Sequence, residues 1–240
     1  MAAPVEGLQE VDGVLLDGLS FCSKVYGIFD AVAAAPEGFG DLRLRRNARS
    51  KRLIEELLPL VQYIQARYGP GHRIRVRWLG GSQQYDARLL LSGRKVQYLK
   101  IPRVQHVEIT GAVHPNDYLL REHLHTHGGG FGPHGTVRDP KTKRTVSSPV
   151  ALSRTDALAE QVGFVRKRID EKASKTYPPN TTLLVVLAGS SVLLEDEWDD
   201  ILRDFSGERC PRKFREVVLA HPTSGRIDSL LAKRRGHHTA

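Results

Sequence analysis

The sequence predicts an α/β fold, and three stretches carry that prediction. Residues 50–68 place Leu53, Ile54, Leu57, Leu58, Val61, Ile64 and Tyr68 on one apolar stripe at helical spacing. Residues 72–79 then change to a period of two, with Arg73, Arg75 and Arg77 alternating against Ile74, Val76 and Trp78, the pattern of a strand with one buried face. Residues 181–188 are apolar on both faces, which marks a strand in the middle of a covered sheet.

The remaining elements follow from the same rules. Residues 1–45 hold short apolar pieces interrupted by glycines and read as a helical N-terminal extension. The α/β domain spans 46–228, and 229–240 form a basic C-terminal tail. Within the domain, Pro59 is a candidate kink and Gly69-Pro70 ends the first helix. A second strand covers 85–91, Ser92-Gly93 turns, and 95–112 hold one long strand broken near Pro102 or two short ones. Helical spacing returns from Tyr118 to His127 and stops at Gly128. Residues 128–149, rich in Gly, Pro, Lys, Arg and Thr, form a loop or a short β excursion. Ser153 with Asp156 caps a helix whose Leu158, Val162, Val165 and Ile169 share one face. An acidic helix at 195–205 and a strand at 214–220 complete the domain.

Composition narrows the function classes. Lys and Arg number 36 against 27 Asp and Glu, a net charge of +9 that favours an anionic partner, nucleic acid first. No run approaches the roughly 18 apolar residues of a spanning helix, and the acidic start of the chain is unlike a secretory signal, so a cytoplasmic, membrane-free protein is expected. Cys22 and Cys210 are too few and too far apart for a thiolate zinc site or a disulfide framework. No dinucleotide fingerprint and no phosphate loop is present, because the glycines of 128–135 are not followed by Gly-Lys-Ser/Thr.

Two acids stand inside strand-like runs: Asp86 in 85–91 and Glu108 in 104–112. Alternation puts Glu108 and Thr110 on one face and Val107 and Ile109 on the other. If the strands are neighbours, the two carboxylates converge on one hard divalent cation. The alternative is a pair of acids on a solvated sheet face. A rival site lies in His123, His125, His127 and His134, where His123 and His127 are four apart on one helix and suit zinc.

Helix, three-strand meander, helix, strand, with an acid in the second strand and Glu108-x-Thr110 in the third, resembles the PD-(D/E)xK nuclease superfamily, which includes the restriction endonucleases. The resemblance covers about residues 50–220 and implies a restriction-endonuclease-like core with added helices. It further implies Mg²⁺ or Mn²⁺ held by Asp86 and Glu108, and phosphodiester hydrolysis, usually in DNA. Thr110 stands where the family has lysine, and Tyr85 where it has proline before the acid. Lys100 is the candidate substitute ammonium, and Arg121 the candidate for stabilising transition-state charge. Ser82, Gln83, Gln84, Arg75 and Arg77 are the expected nucleic-acid contacts. A non-catalytic nucleic-acid or protein interaction module on the same fold is the alternative that Thr110 favours.

Overall fold

The structure, a computed structural model, describes residues 7–81, 83–187 and 193–232. Its elements run β1 (Leu16–Asp17), α1 (Gly18–Ala33), α2 (Gly38–Leu44), α3 (Ala48–Arg52), a π turn (Leu53–Leu57), α4 (Leu58–Arg67), β2 (Arg73–Trp78), β3 (Ala87–Ser92), α5 (Arg94–Tyr98) and β4 (Val104–Gly111). They continue with α6 (Asp117–His127), a 3₁₀ turn (Pro133–Gly135), β5 (Thr136–Arg138), β6 (Thr145–Ser147), α7 (Arg154–Ala173), β7 (Thr181–Val186), α8 (Glu195–Asp204), β8 (Glu216–His221) and β9 (Arg226–Ala232).

Seven of the strands form one mixed sheet in the order β1-β2-β3-β4-β7-β8-β9, and β5 with β6 makes a separate hairpin. Pairing is antiparallel from β1 to β4, parallel from β4 through β7 to β8, and antiparallel again at β9. Alternation sorts the strand residues to two faces. Ile74, Val76, Trp78, Leu89, Ile109, Leu184 and Val218 join α1 and α4 in one apolar cluster. Leu183, Val185, Val217 and Leu219 join α7 and α8 in the other. Helices therefore cover both faces of the parallel half, the arrangement such strands require. Buried Glu216 ties the layers together, accepting from Arg67 at 3.0 Å, Tyr63 at 3.4 Å and Thr182 at 3.3 Å.

Local chemistry explains the elements that matter to the site. Pro59 has no N–H for the Glu55 carbonyl, and the helix widens just before it: Leu58 N bonds to Leu53 O, one residue further back than in an α-helix. Ser153 accepts from Asp156 N at 3.1 Å and starts α7 as expected.

One expectation is corrected. The long strand over 95–112 is instead α5, a turn and β4. Gly93, at φ 112°, turns the chain so sharply that a Cβ there would lie 2.4 Å from Gly71 O, and Lys95 N bonds to that same carbonyl at 2.9 Å. The basic tail begins as an edge strand, since β9 takes in 229–232 beside β8, while 233–240 lie outside the described residues. The first part of the chain is built into the fold: Leu8, Val11, Phe21 and Val25 belong to the cluster under α4, and β1 pairs with β2.

Candidate active site

The site is assembled where β3 enters the sheet. β3 begins at Ala87, which pairs with Val107, and Asp86 stands just before it, within reach of the Glu108 charge. Asp86 N donates to Val107 O at 2.9 Å, and the Asp86 carboxylate accepts from Ile109 N at 2.7 Å. The Asp86 side chain is thus fixed by the backbone flanking Glu108.

Glu108 shares its face with Leu183, its parallel partner in β7, and so points toward α7. There it meets Lys172, in the last turn of the helix, with Nζ 2.5 Å from Oε1. Both side chains are largely covered, at 19% and 10% exposed for Lys172 and Glu108. Tyr177, just past the helix, has a buried hydroxyl without a hydrogen-bond partner. Burial, followed by the Glu108 and Asp86 charges, pushes its phenol upward.

A third acid comes from the π turn. Glu56 accepts from Trp78 Nε1 at 3.2 Å and is paired with Arg52. Burial raises its carboxyl above the ordinary range against the pull of Arg52. Asp86 is raised from 3.8 to about 7, first by burial and then by the charges of Glu56 and Glu108, while the Ile109 N–H and Lys172 oppose the shift. Like charges held together in a covered place favour a proton or a cation among them. Oxygen-only donors in this setting suit a hard divalent ion, which needs one or two carboxylates and fills its other positions with water and phosphate.

Beside Glu108 opens a cavity of about 590 Å³ lined by Thr110, Arg45, Glu55, Arg168, Lys172 and Lys175 among others. Arg45 is held by Glu55 at 2.5 Å, and Arg168 by Glu171 at 2.6 Å and by Gly111 O at 3.0 Å. Arg121 in α6 is anchored to Asp117 at 3.3 Å, with one guanidinium nitrogen buried and unpartnered. The Arg45 charge is near enough to lower its proton affinity, after burial.

The other expected residues are placed as follows. Lys100 sits at φ 49° on the exposed turn after α5, so the ammonium that meets Glu108 is Lys172. Gln83 and Gln84 are exposed, Gln83 donating to Leu79 O at 2.6 Å, and Ser82 lies outside the described residues. Arg75 and Arg77 project from β2 on the face opposite Trp78, where Arg77 pairs in register with Arg88 of β3 and donates to Gly13 O at 2.5 Å. The four histidines do not form one site. His123 and His127 face each other at 4.5 Å between ring centroids, and His125 contacts Arg46. His134 instead joins His114 and Glu160.

Lys172 carried a signal in the sequence. It continues the buried stripe of α7 three residues beyond Ile169, and a lysine on a core-facing stripe calls for a buried partner. Glu56 offered less, because the widened turn sets its direction. No protein-family model matches the chain, and neither curated proteins nor solved structures give a match.

Proposed function

We propose that the chain is a metal-dependent phosphodiesterase acting on DNA, with a core of the restriction-endonuclease type. One observation carries the reading: Asp86, held by the Ile109 N–H next to Glu108, lies within reach of the Glu108 charge, and the only ammonium the fold brings onto Glu108 among the described residues is that of Lys172. The order of elements also supports it, because the helix of 48–67, the β2-β3-β4 meander, a following helix and the strand β7 come in the sequence that the resemblance implies. Lys172 answers the absence of lysine at 110, the point that favoured a non-catalytic module.

Asp86 and Glu108 are the residues that would hold Mg²⁺ or Mn²⁺. Bound there, the ion would lower the pKa of a coordinated water and neutralise charge developing on the phosphate. Lys172 Nζ, already seated on Glu108, holds the attacking water and offsets negative charge as it forms. Glu56 adds charge behind Asp86 and strengthens its hold on a cation. Arg168, Lys175 and Arg45 make the neighbouring cavity a receptor for phosphate oxygens. The row of Arg75, Arg77 and Arg88 extends a basic surface along the uncovered face.

The test is cleavage of plasmid, linear and single-stranded DNA, and of RNA, with Mg²⁺ or Mn²⁺. Cleavage abolished by Asp86→Asn and by Glu108→Gln supports the reading. Activity that survives both substitutions, or no cleavage of any substrate by the wild type with either metal, overturns it.

A further inference from the structure

We propose that His114, His134 and Glu160 form a second, independent metal site that takes a transition metal of the zinc type. Three separate segments supply the ligands: the loop before α6, the 3₁₀ turn before β5, and the first half of α7. Their ligand atoms all lie within 4.8 Å of one another. The two oxygens of Glu160 each face one imidazole. Oε2 is 2.5 Å from His134 Nε2, and Oε1 is 4.0 Å from His114 Nε2. The rings lie 4.6 Å apart, and Phe164 closes one side with its ring at 5.8 Å from that of His114.

Two nitrogens and a carboxylate are the donor set of a zinc centre with its fourth position open to water, and they do not suit Mg²⁺. Ligand atoms around a tetrahedral Zn²⁺ stand about 3.3 Å apart when each bond is about 2.0 Å. The His134–Glu160 contact opens slightly to reach that spacing and the His114–Glu160 contact closes. Asn116 N donates to His114 Nδ1 at 3.0 Å. Ligation through Nε2 moves the ring proton to Nδ1 and exchanges that one neutral hydrogen bond for a metal–nitrogen bond.

The site is remote from the carboxylates. Glu160 and Lys172 are separated by about 18 Å along α7 at roughly 1.5 Å per residue. A metal here fastens the β5-β6 hairpin and the start of α6 to the helix whose far end carries Lys172.

The experiment is calorimetric titration of the full chain with ZnCl₂ in excess Mg²⁺, followed by X-ray absorption at the zinc edge. One tight equivalent is expected, with a first shell of two imidazoles and carboxylate oxygen. His134→Ala and Glu160→Gln, checked for folding by circular dichroism, should each weaken binding by about 100-fold or more. Asp86→Asn should leave zinc binding unchanged, whatever it does to cleavage, so this site and the carboxylate site fail separately. The proposal is overturned if zinc does not bind in excess Mg²⁺, if folded variants bind as the wild type does, or if binding is lost instead in His123→Ala or His127→Ala. The absorption spectrum of the wild type decides the matter if the variants do not fold, because a shell without two imidazoles refutes it.

Discussion

Lys172 reaches Glu108 from the last turn of α7, placing an ammonium 2.5 Å from the carboxylate whose charge also acts on Asp86. Removing one partner of so covered a pair strands the other's charge, a loss typically of about 3 kcal/mol. Lys172→Met should therefore be destabilised in EDTA, with part of the loss recovered when Mg²⁺ takes over the charge of Glu108. Cleavage should fall about 100- to 1000-fold, the usual consequence of losing a preorganised donor at a reacting centre. Lys100→Ala, on its exposed turn, should cleave as the wild type does. The reverse outcome for the two lysines would refute the assignment.

Asp86 gives the metal-free protein an unusual dependence on pH. Its folded-state value of about 7 lies above the ordinary 3.8, so the folded chain binds the proton more tightly than the unfolded chain. Stability from this group is complete below about pH 4 and is lost as pH rises through about 7, by about 4 kcal/mol at most. Melting in EDTA should accordingly occur at a lower temperature at pH 8 than at pH 6. Asp86→Asn should flatten that difference, and Mg²⁺ should abolish it. A wild type more stable at pH 8 without metal would contradict the buried cluster.

After burial, the Glu56 charge does most to raise Asp86. In Glu56→Gln the Asp86 titration should move downward, followed by carboxyl carbon NMR in the absence of metal. An unchanged titration would place Glu56 outside the site.

On the proposed reading, the arginines of β2 and β3 bear on affinity for DNA more than on chemistry. Each phosphate contact contributes about 0.9 to the slope of log affinity against log salt. Arg75→Ala with Arg88→Ala should reduce that slope by up to about 1.8 for catalytically inactive Asp86→Asn protein on duplex DNA, measured by fluorescence anisotropy. A slope that does not move would take this face out of the interface.

Much of the scaffold was legible because its signals are local. The arginine alternation of 73–78, the doubly apolar 181–186 and the Ser153 cap each specify an element without reference to distant residues. The segment after Gly93 was not, since Lys95, Val96, Gln97 and Tyr98 alternate as a strand would while the turn at Gly93 curls them into α5. β9 was hidden by its position at the sheet edge, where its mostly part-exposed residues read as a tail. Asp86 and Glu108 were visible as acids out of place in strands. Of their companions, Lys172 stood on the buried stripe of α7 without naming its partner, and Glu56 was hidden because its direction depends on a widened helical turn. His134 looked like a neighbour of His123 and His127 in sequence, and the hairpin carries it away to Glu160.

The parallel pairing of β4 with β7 has a consequence for how the protein comes into being. β2, β3 and β4 are close in sequence and can associate early, whereas β7 pairs with β4 only after everything from α6 through α7 has been threaded over the sheet. Long closures of this kind slow folding relative to local contacts. Asp86 and Glu108 can thus be brought together while Lys172 is still on an unattached segment, and their repulsion opposes the meander until the crossover completes. Divalent cations should then accelerate refolding as well as stabilise the product, which stopped-flow refolding with and without Mg²⁺ would show.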